Sequence, residues 1–166
     1  WILNKIKVGS FPYQFDTHFE ASKYDIVINV SDEWSYEVQE RLKRHGCETY
    51  WFPMNECKKD IGLNSVYAAL RILYHAETNN KSVYLHCHAG ANRSPTIFAA
   101  YFYMRTGKHL EENKGGYINR LVANCNRGYL PPKVEMEQFL TKYGERLKMK
   151  YKGGLDSLKL DTVNNF

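Results

Sequence analysis

A chain of 166 residues, 43% hydrophobic and 14% aromatic, can bury one core and is too apolar for a disordered segment. Its formal net charge of +5 fits attraction to anionic ligands without naming one, and no basic stripe with interleaved aromatics marks a nucleic-acid binder. The longest apolar run, Ile97 to Met104, is too short to cross a bilayer, and no basic-then-apolar leader opens the sequence, which begins at Trp1.

Hydrophobic period and punctuation predict alternating strands and helices, the pattern of a layered α/β domain. Strands are expected near Ile6 to Val8, Asp25 to Val30, Thr49 to Pro53 and Ser82 to His86. Between them, Ser35 to His45 carries Val38 and Leu42 four apart and ends at Gly46, a residue suited to a helix C-terminus. Asn64 or Ser65 can cap a helix over Val66 to Glu77, with Val66, Leu70 and Leu73 on one face. After Gly107 only helices are expected, about Leu110 to Asn124 and Lys133 to Lys148. The two glycines Gly115 and Gly116 weaken the first, and Pro131 and Pro132 start the second. Residues 1–150 read as one domain and 151–166 as a C-terminal tail, with Gly153 and Gly154 near its start.

The densest chemistry lies in Val83-Tyr84-Leu85-His86-Cys87-His88-Ala89-Gly90-Ala91-Asn92-Arg93-Ser94-Pro95, which reads as a buried strand, a tight loop and a helix start. Cys87 and Arg93 bracket the five positions His88, Ala89, Gly90, Ala91 and Asn92. That is few enough for successive backbone N–H groups to turn inward on an anion. Those amides, the helix N-terminus and the Arg93 charge all favour a thiolate at Cys87, a nucleophile that needs no base. Arg93 offers a planar fork for two phosphoryl oxygens, which Lys cannot imitate. Gly90 allows a close backbone approach, Ser94 then Pro95 suit a helix N-cap and first turn, and the Ser94 hydroxyl can bond the sulfur. His86 is expected to orient the loop through hydrogen bonds. A metal site at His86-Cys87-His88 is not expected, because neighbours on a strand point to opposite faces.

His-Cys-x5-Arg-Ser is the signature of the cysteine-dependent protein tyrosine phosphatase superfamily, and the chain resembles its compact dual-specificity phosphatase branch. Lys5 to Pro12 is similar to the family's opening strand and turn, Tyr24 to Val30 to its first central strand, and Tyr50 to Met54 to the strand entering its general-acid loop. Asn126 to Pro132 with Glu137 to Leu140 is similar to the approach to its last helix, although Lys133 stands near a frequent Asn. The resemblance spans about Ile2 to Leu147. It implies a single-domain, mixed and mostly parallel sheet flanked by helices, and phosphomonoester hydrolysis through a cysteinyl-phosphate without a cofactor. The expected substrate is a phosphorylated protein or a small phosphomonoester. A phosphoinositide or other non-protein phosphate is an alternative, as is a non-catalytic phosphate-binding module.

Departure of an alkoxide or phenoxide requires a proton donor, and two carboxyl groups compete for that role. Pro53-Met54-Asn55-Glu56 is similar to the family's Pro-x-x-Asp with Glu in place of Asp, whereas Asp60 precedes Asn64 by a reach suited to a loop folding over the phosphate. Asp60 is preferred and Glu56 is the alternative. Lys58 and Lys59 beside them could meet an acidic flank or a second phosphate, and Tyr13, Trp34 and Tyr36 could line the cleft. Four irregularly spaced cysteines, Cys47, Cys57, Cys87 and Cys125, one of which must stay reduced, favour a cytoplasmic setting over a disulfide framework.

Overall fold

The computed structural model describes residues 5–13, 19–54, 63–88 and 93–106, with residues 63–64 and 103–106 described by backbone alone. The strands are β1 (Ile6–Gly9), β2 (Ile26–Asn29), β3 (Glu48–Trp51) and β4 (Val83–His86), and the helices are α1 (Tyr36–Arg44), α2 (Leu63–Thr78) and α3 (Arg93–Thr106). All four described strands pair in parallel in the order β1-β4-β2-β3, in keeping with the mostly parallel sheet flanked by helices that the sequence suggested.

Strand period explains the three layers. Ile26, Ile28, Val83 and Leu85 share one face of the sheet and bury against Val66, Leu70 and Leu73 of α2 and Ile97 to Phe102 of α3. Val27 and Tyr84 alternate to the opposite face, where Val38 and Leu42 of α1 close a second cluster with Phe11 and Phe19. Both central strands are buried along their whole length, the expected state of a parallel sheet covered on two sides. Each fully buried aliphatic side chain there contributes about 1.5–3 kcal/mol.

Helix ends follow local chemistry. Ser35 caps α1 by accepting the Val38 N–H at 3.3 Å. At its other end Gly46 takes φ +82°, with Gly46 N–H on the Lys43 carbonyl and Cys47 N–H on the Leu42 carbonyl, which is the Schellman closure. No atom lies near where a Cβ would be built at Gly46, so the backbone alone sets the cost of a side chain. Gly46→Ala is expected to lower stability by about 1 kcal/mol; a urea titration unchanged in midpoint would show otherwise. Helix α2 starts at Leu63, one turn earlier than its apolar face suggests. Ser65 therefore lies inside the first turn and, instead of capping, donates its hydroxyl to the Pro53 carbonyl at 3.0 Å.

The helices expected after Gly107 and the tail lie outside the described residues. Among the described residues no helix is long and apolar enough to cross a membrane.

What the topology does for function is set by register. Gly9 and Asn29 both stand opposite His86, and Trp51 stands opposite Asn29, so all four strands end at one edge. Cys87 leaves β4 there, flanked by the ends of β1 and β2. Crevices at the carboxyl edge of a parallel sheet are where α/β folds hold ligands.

Candidate active site

Cys87 is buried, and its Sγ lies 3.2 Å from the Ser94 Oγ. Ser94 is in the first turn of α3, since the helix begins at Arg93. It is therefore not the N-cap expected from sequence; its hydroxyl faces the thiol and, at 3.4 Å, the Gly9 carbonyl. One hydroxyl proton serves two acceptors. It can rest on Gly9 while Cys87 is a thiol and turn to the sulfur when Cys87 becomes a thiolate. Contact with Ser94 also sets the sulfur beside the α3 N-terminus, the positive end of the helix dipole.

Arg93, 7% exposed, is held at one edge of its guanidinium. Nη1 donates to Asp32 Oδ1 at 2.8 Å and to the Met54 carbonyl at 2.9 Å, which uses both of its protons. The Nε is buried and makes no hydrogen bond.

His86 is fully buried and turns its Nδ1 onto the Cys87 carbonyl at 3.0 Å. A carbonyl only accepts, so Nδ1 carries the proton. Burial pushes the imidazole pKa down to about 4, against a smaller opposing effect of that hydrogen bond. His86 is thus neutral, packed edge-on against Phe11 at 4.8 Å, with its ring bonded to the backbone at Cys87.

His88 follows Cys87. Its carbonyl accepts the Phe11 N–H at 2.9 Å, and its Nδ1 meets Glu33 Oε2 at 2.8 Å. Tyr13 donates its hydroxyl to the same Glu33 oxygen at 3.0 Å, and this interaction and desolvation raise the phenol pKa above its ordinary value, desolvation more strongly. Trp34 and Tyr36 are exposed, and the Trp34 ring centroid lies 6.2 Å from that of Tyr36 and 6.2 Å from that of the exposed Trp51.

Asp32 and Glu33 escaped the sequence analysis. The signal was present: Asn29-Val30-Ser31-Asp32-Glu33 follows a central strand at its carboxyl end and begins with Asn, a residue that folds its side chain onto its own turn. The Arg93 hydrogen bond holds the Asp32 carboxyl below the usual carboxylate range. Asp32 is therefore an anion at neutral pH and unsuited to give a proton. Of the expected site residues, the structure brings together Cys87, Arg93, Ser94, His86 and His88. Ala89, Gly90, Ala91 and Asn92 of the loop and both acid candidates, Asp60 and Glu56, lie outside the described residues. Among the described residues no group of three His, Cys, Asp or Glu side chains is arranged to hold a metal ion.

Solved structures similar to this one include PTPMT1, at 18% identity and TM-score 0.66 over 91% of this chain and 96% of that one. A mutant form of Tk-PTP is similar at 21% identity and TM-score 0.64, over 84% and 89% of the two chains. The core catalytic domain of the PP-IP phosphatase SIW14 from S. cerevisiae is similar at 18% identity and TM-score 0.62, over 89% and 86%. No curated protein matches the chain in sequence. The family model "Dual specificity phosphatase, catalytic domain" matches residues 8–119, more than half of the chain, from within β1 through the end of α3. The chain belongs to the dual specificity phosphatase catalytic domain family, and it is a cysteine-dependent phosphatase.

Proposed function

We propose that the chain hydrolyses phosphomonoesters on protein side chains through a cysteinyl-phosphate on Cys87. The observation that carries this reading is the placement of the Cys87 sulfur against Ser94 at the α3 N-terminus, with Arg93 beginning the same helix and already oriented by two acceptors. In the first step the thiolate attacks phosphorus. The S–P bond forms, the ester P–O bond breaks, and a carboxylic acid gives its proton to the departing oxygen. In the second, water attacks phosphorus and loses a proton to the same group, now a carboxylate; the S–P bond breaks and inorganic phosphate leaves. Loop amides and Arg93 stabilise the phosphoryl oxygens throughout, so the route needs no metal.

Asp60 is the preferred acid and Glu56 the alternative. Both belong to the stretch that leaves from Met54, whose carbonyl accepts from Arg93, and returns at Ser65, whose hydroxyl is tied to the Pro53 carbonyl.

The half-exposed carboxylates of Asp32 and Glu33 disfavour polyanionic substrates by like-charge repulsion. The loop positions His88, Ala89, Ala91 and Asn92 add no lysine to attract them. Both points support a phosphoprotein over a phosphoinositide, and the need for a reduced thiol fits the cytoplasm.

Turnover of an aryl phosphate by the reduced chain tests the enzyme, and a panel of phosphotyrosine, phosphoserine and phosphoinositide substrates tests the class. On an alkyl phosphate, Asp60→Asn is expected to lower turnover by ~10²-fold or more while Glu56→Gln stays near wild type. The reverse pattern transfers the role to Glu56. Phosphopeptide binding without any hydrolysis identifies a binding module instead.

A further inference from the structure

We infer that Asp32 and Glu33 form a two-point carboxylate clamp that positions both ends of the oxyanion cradle, Asp32 through Arg93 and Glu33 through His88 and Tyr13. This rests on the reading of Cys87 and Arg93 as the phosphate site. The two carboxylates are consecutive residues of one turn, yet they reach opposite ends of the Cys87–Arg93 segment: Arg93 Nη1 on Asp32 Oδ1 at 2.8 Å and His88 Nδ1 on Glu33 Oε2 at 2.8 Å.

The turn that carries them is built to hold still. Asn29, the buried last residue of β2, accepts at Oδ1 from the Ser31 N–H at 2.8 Å and from the Ser31 hydroxyl at 2.6 Å. Its Nδ2 donates to the Glu33 carbonyl at 2.8 Å. From β3, the Trp51 indole N–H donates to the Ser31 carbonyl at 2.8 Å. The side chains of two adjacent strands thus fix the backbone from which Asp32 and Glu33 project, and rigid elements place functional groups more accurately than loops do.

Each arm supplies what its end lacks. The Arg93 side chain has many rotamers, and bidentate capture of a phosphoryl group requires its plane to be set beforehand. With Nη1 directed to Asp32 and the Met54 carbonyl, the guanidinium is defined by two acceptors from two separate segments. At the other end, the His88 backbone is held by Phe11 N–H and its ring by Glu33, while Tyr13 donates to that same oxygen and keeps Glu33 in place. The carboxylate at Asp32 also offsets part of the Arg93 charge, so the clamp favours geometry over raw attraction. Neither Asp32 nor Glu33 is buried, and their removal leaves the core intact.

The test compares Asp32→Ala, Asp32→Asn and Glu33→Ala with the wild-type chain, measuring kcat and KM on an aryl phosphate, tungstate affinity by calorimetry and the melting temperature. Asp32→Ala and Glu33→Ala are each expected to lower kcat by about tenfold or more through misplaced groups, with only a small drop in melting temperature, because pairs of half-exposed carboxylates contribute little to stability. Asp32→Asn keeps an acceptor for Nη1 and is expected to recover kcat to within a few-fold, to bind tungstate more tightly than Asp32→Ala, and to show a lower KM because a negative charge is gone. Wild-type kcat in either alanine variant overturns the clamp, as does an Asn variant no better than Ala. A wild-type chain that turns over no aryl phosphate defeats the reading of the site itself, a result distinct from active wild type with equally active variants.

Discussion

Cys87→Ser is expected to lower kcat on an aryl phosphate by on the order of 10⁴-fold or more while leaving tungstate binding close to wild type. A hydroxyl is similar in size to the thiol and fits the buried position 3.2 Å from Ser94, but at neutral pH it stays protonated and attacks phosphorus poorly. The cradle is otherwise intact, so the variant traps substrate instead of converting it. Arg93→Lys should separate from it in kind. An ammonium cannot replace a fork that keeps Nη1 on Asp32 and Met54 while presenting its other nitrogens to two oxygens, and the loss is expected in both turnover, ~10²- to 10³-fold, and tungstate affinity. Single-turnover rates and calorimetry on the two variants supply the check. Wild-type turnover in Cys87→Ser ends the covalent route, and equal tungstate binding by Arg93→Lys removes Arg93 from the cradle.

The residues on which this prediction rests are legible in the sequence because they are contiguous. A strand, five loop residues and a helix start keep Cys87 and Arg93 within one local unit, and the buried run Val83 to His86 announces itself by composition. The same holds for the Val38–Leu42 face of α1 and the Val66–Leu70–Leu73 face of α2, all buried as their spacing requires. What was not legible was long-range pairing. Asp32 meets Arg93 only because β2 and β4 lie side by side with Asn29 opposite His86, and strand order β1-β4-β2-β3 is not encoded in the period of any single strand. Tyr13 and Glu33 likewise become neighbours across twenty residues through the ends of β1 and β2. Ser-Pro at 94–95 suits a helix cap as well as a sulfur contact; the structure has the contact, while Ser94 itself lies within helix α3.

Among the described residues, His86 is a buried group whose charge state makes stability depend on pH between neutral and mildly acidic conditions. Its imidazole has a pKa of about 4 in the folded chain because burial disfavours the cation, against about 6.5 when unfolded. Above pH ~6.5 both states hold a neutral ring and the pair contributes no pH dependence. As pH falls below that, the unfolded chain takes up a proton that the folded chain refuses, and stability declines until the folded ring titrates as well. The span between the two values corresponds to about 3 kcal/mol at ~1.4 kcal/mol per pH unit, a large share of an ordinary domain's stability. Asp32 and Glu48, held below their usual range by Arg93 and Lys81 respectively, contribute stability that is lost at lower pH still, below the ordinary carboxylate values. His86→Asn keeps a donor near the Cys87 carbonyl, removes the titrating ring and gives up its contact with Phe11. It is therefore expected to be less stable than wild type at pH ~7.5, by roughly 1–3 kcal/mol, and to lose less stability than wild type on acidification to pH ~4. Urea midpoints measured across that range give the comparison, with the other histidines common to both chains and cancelling in the difference. Parallel curves would mean that the His86 ring is already free to protonate in the folded chain, and that the backbone at Cys87 is held without it.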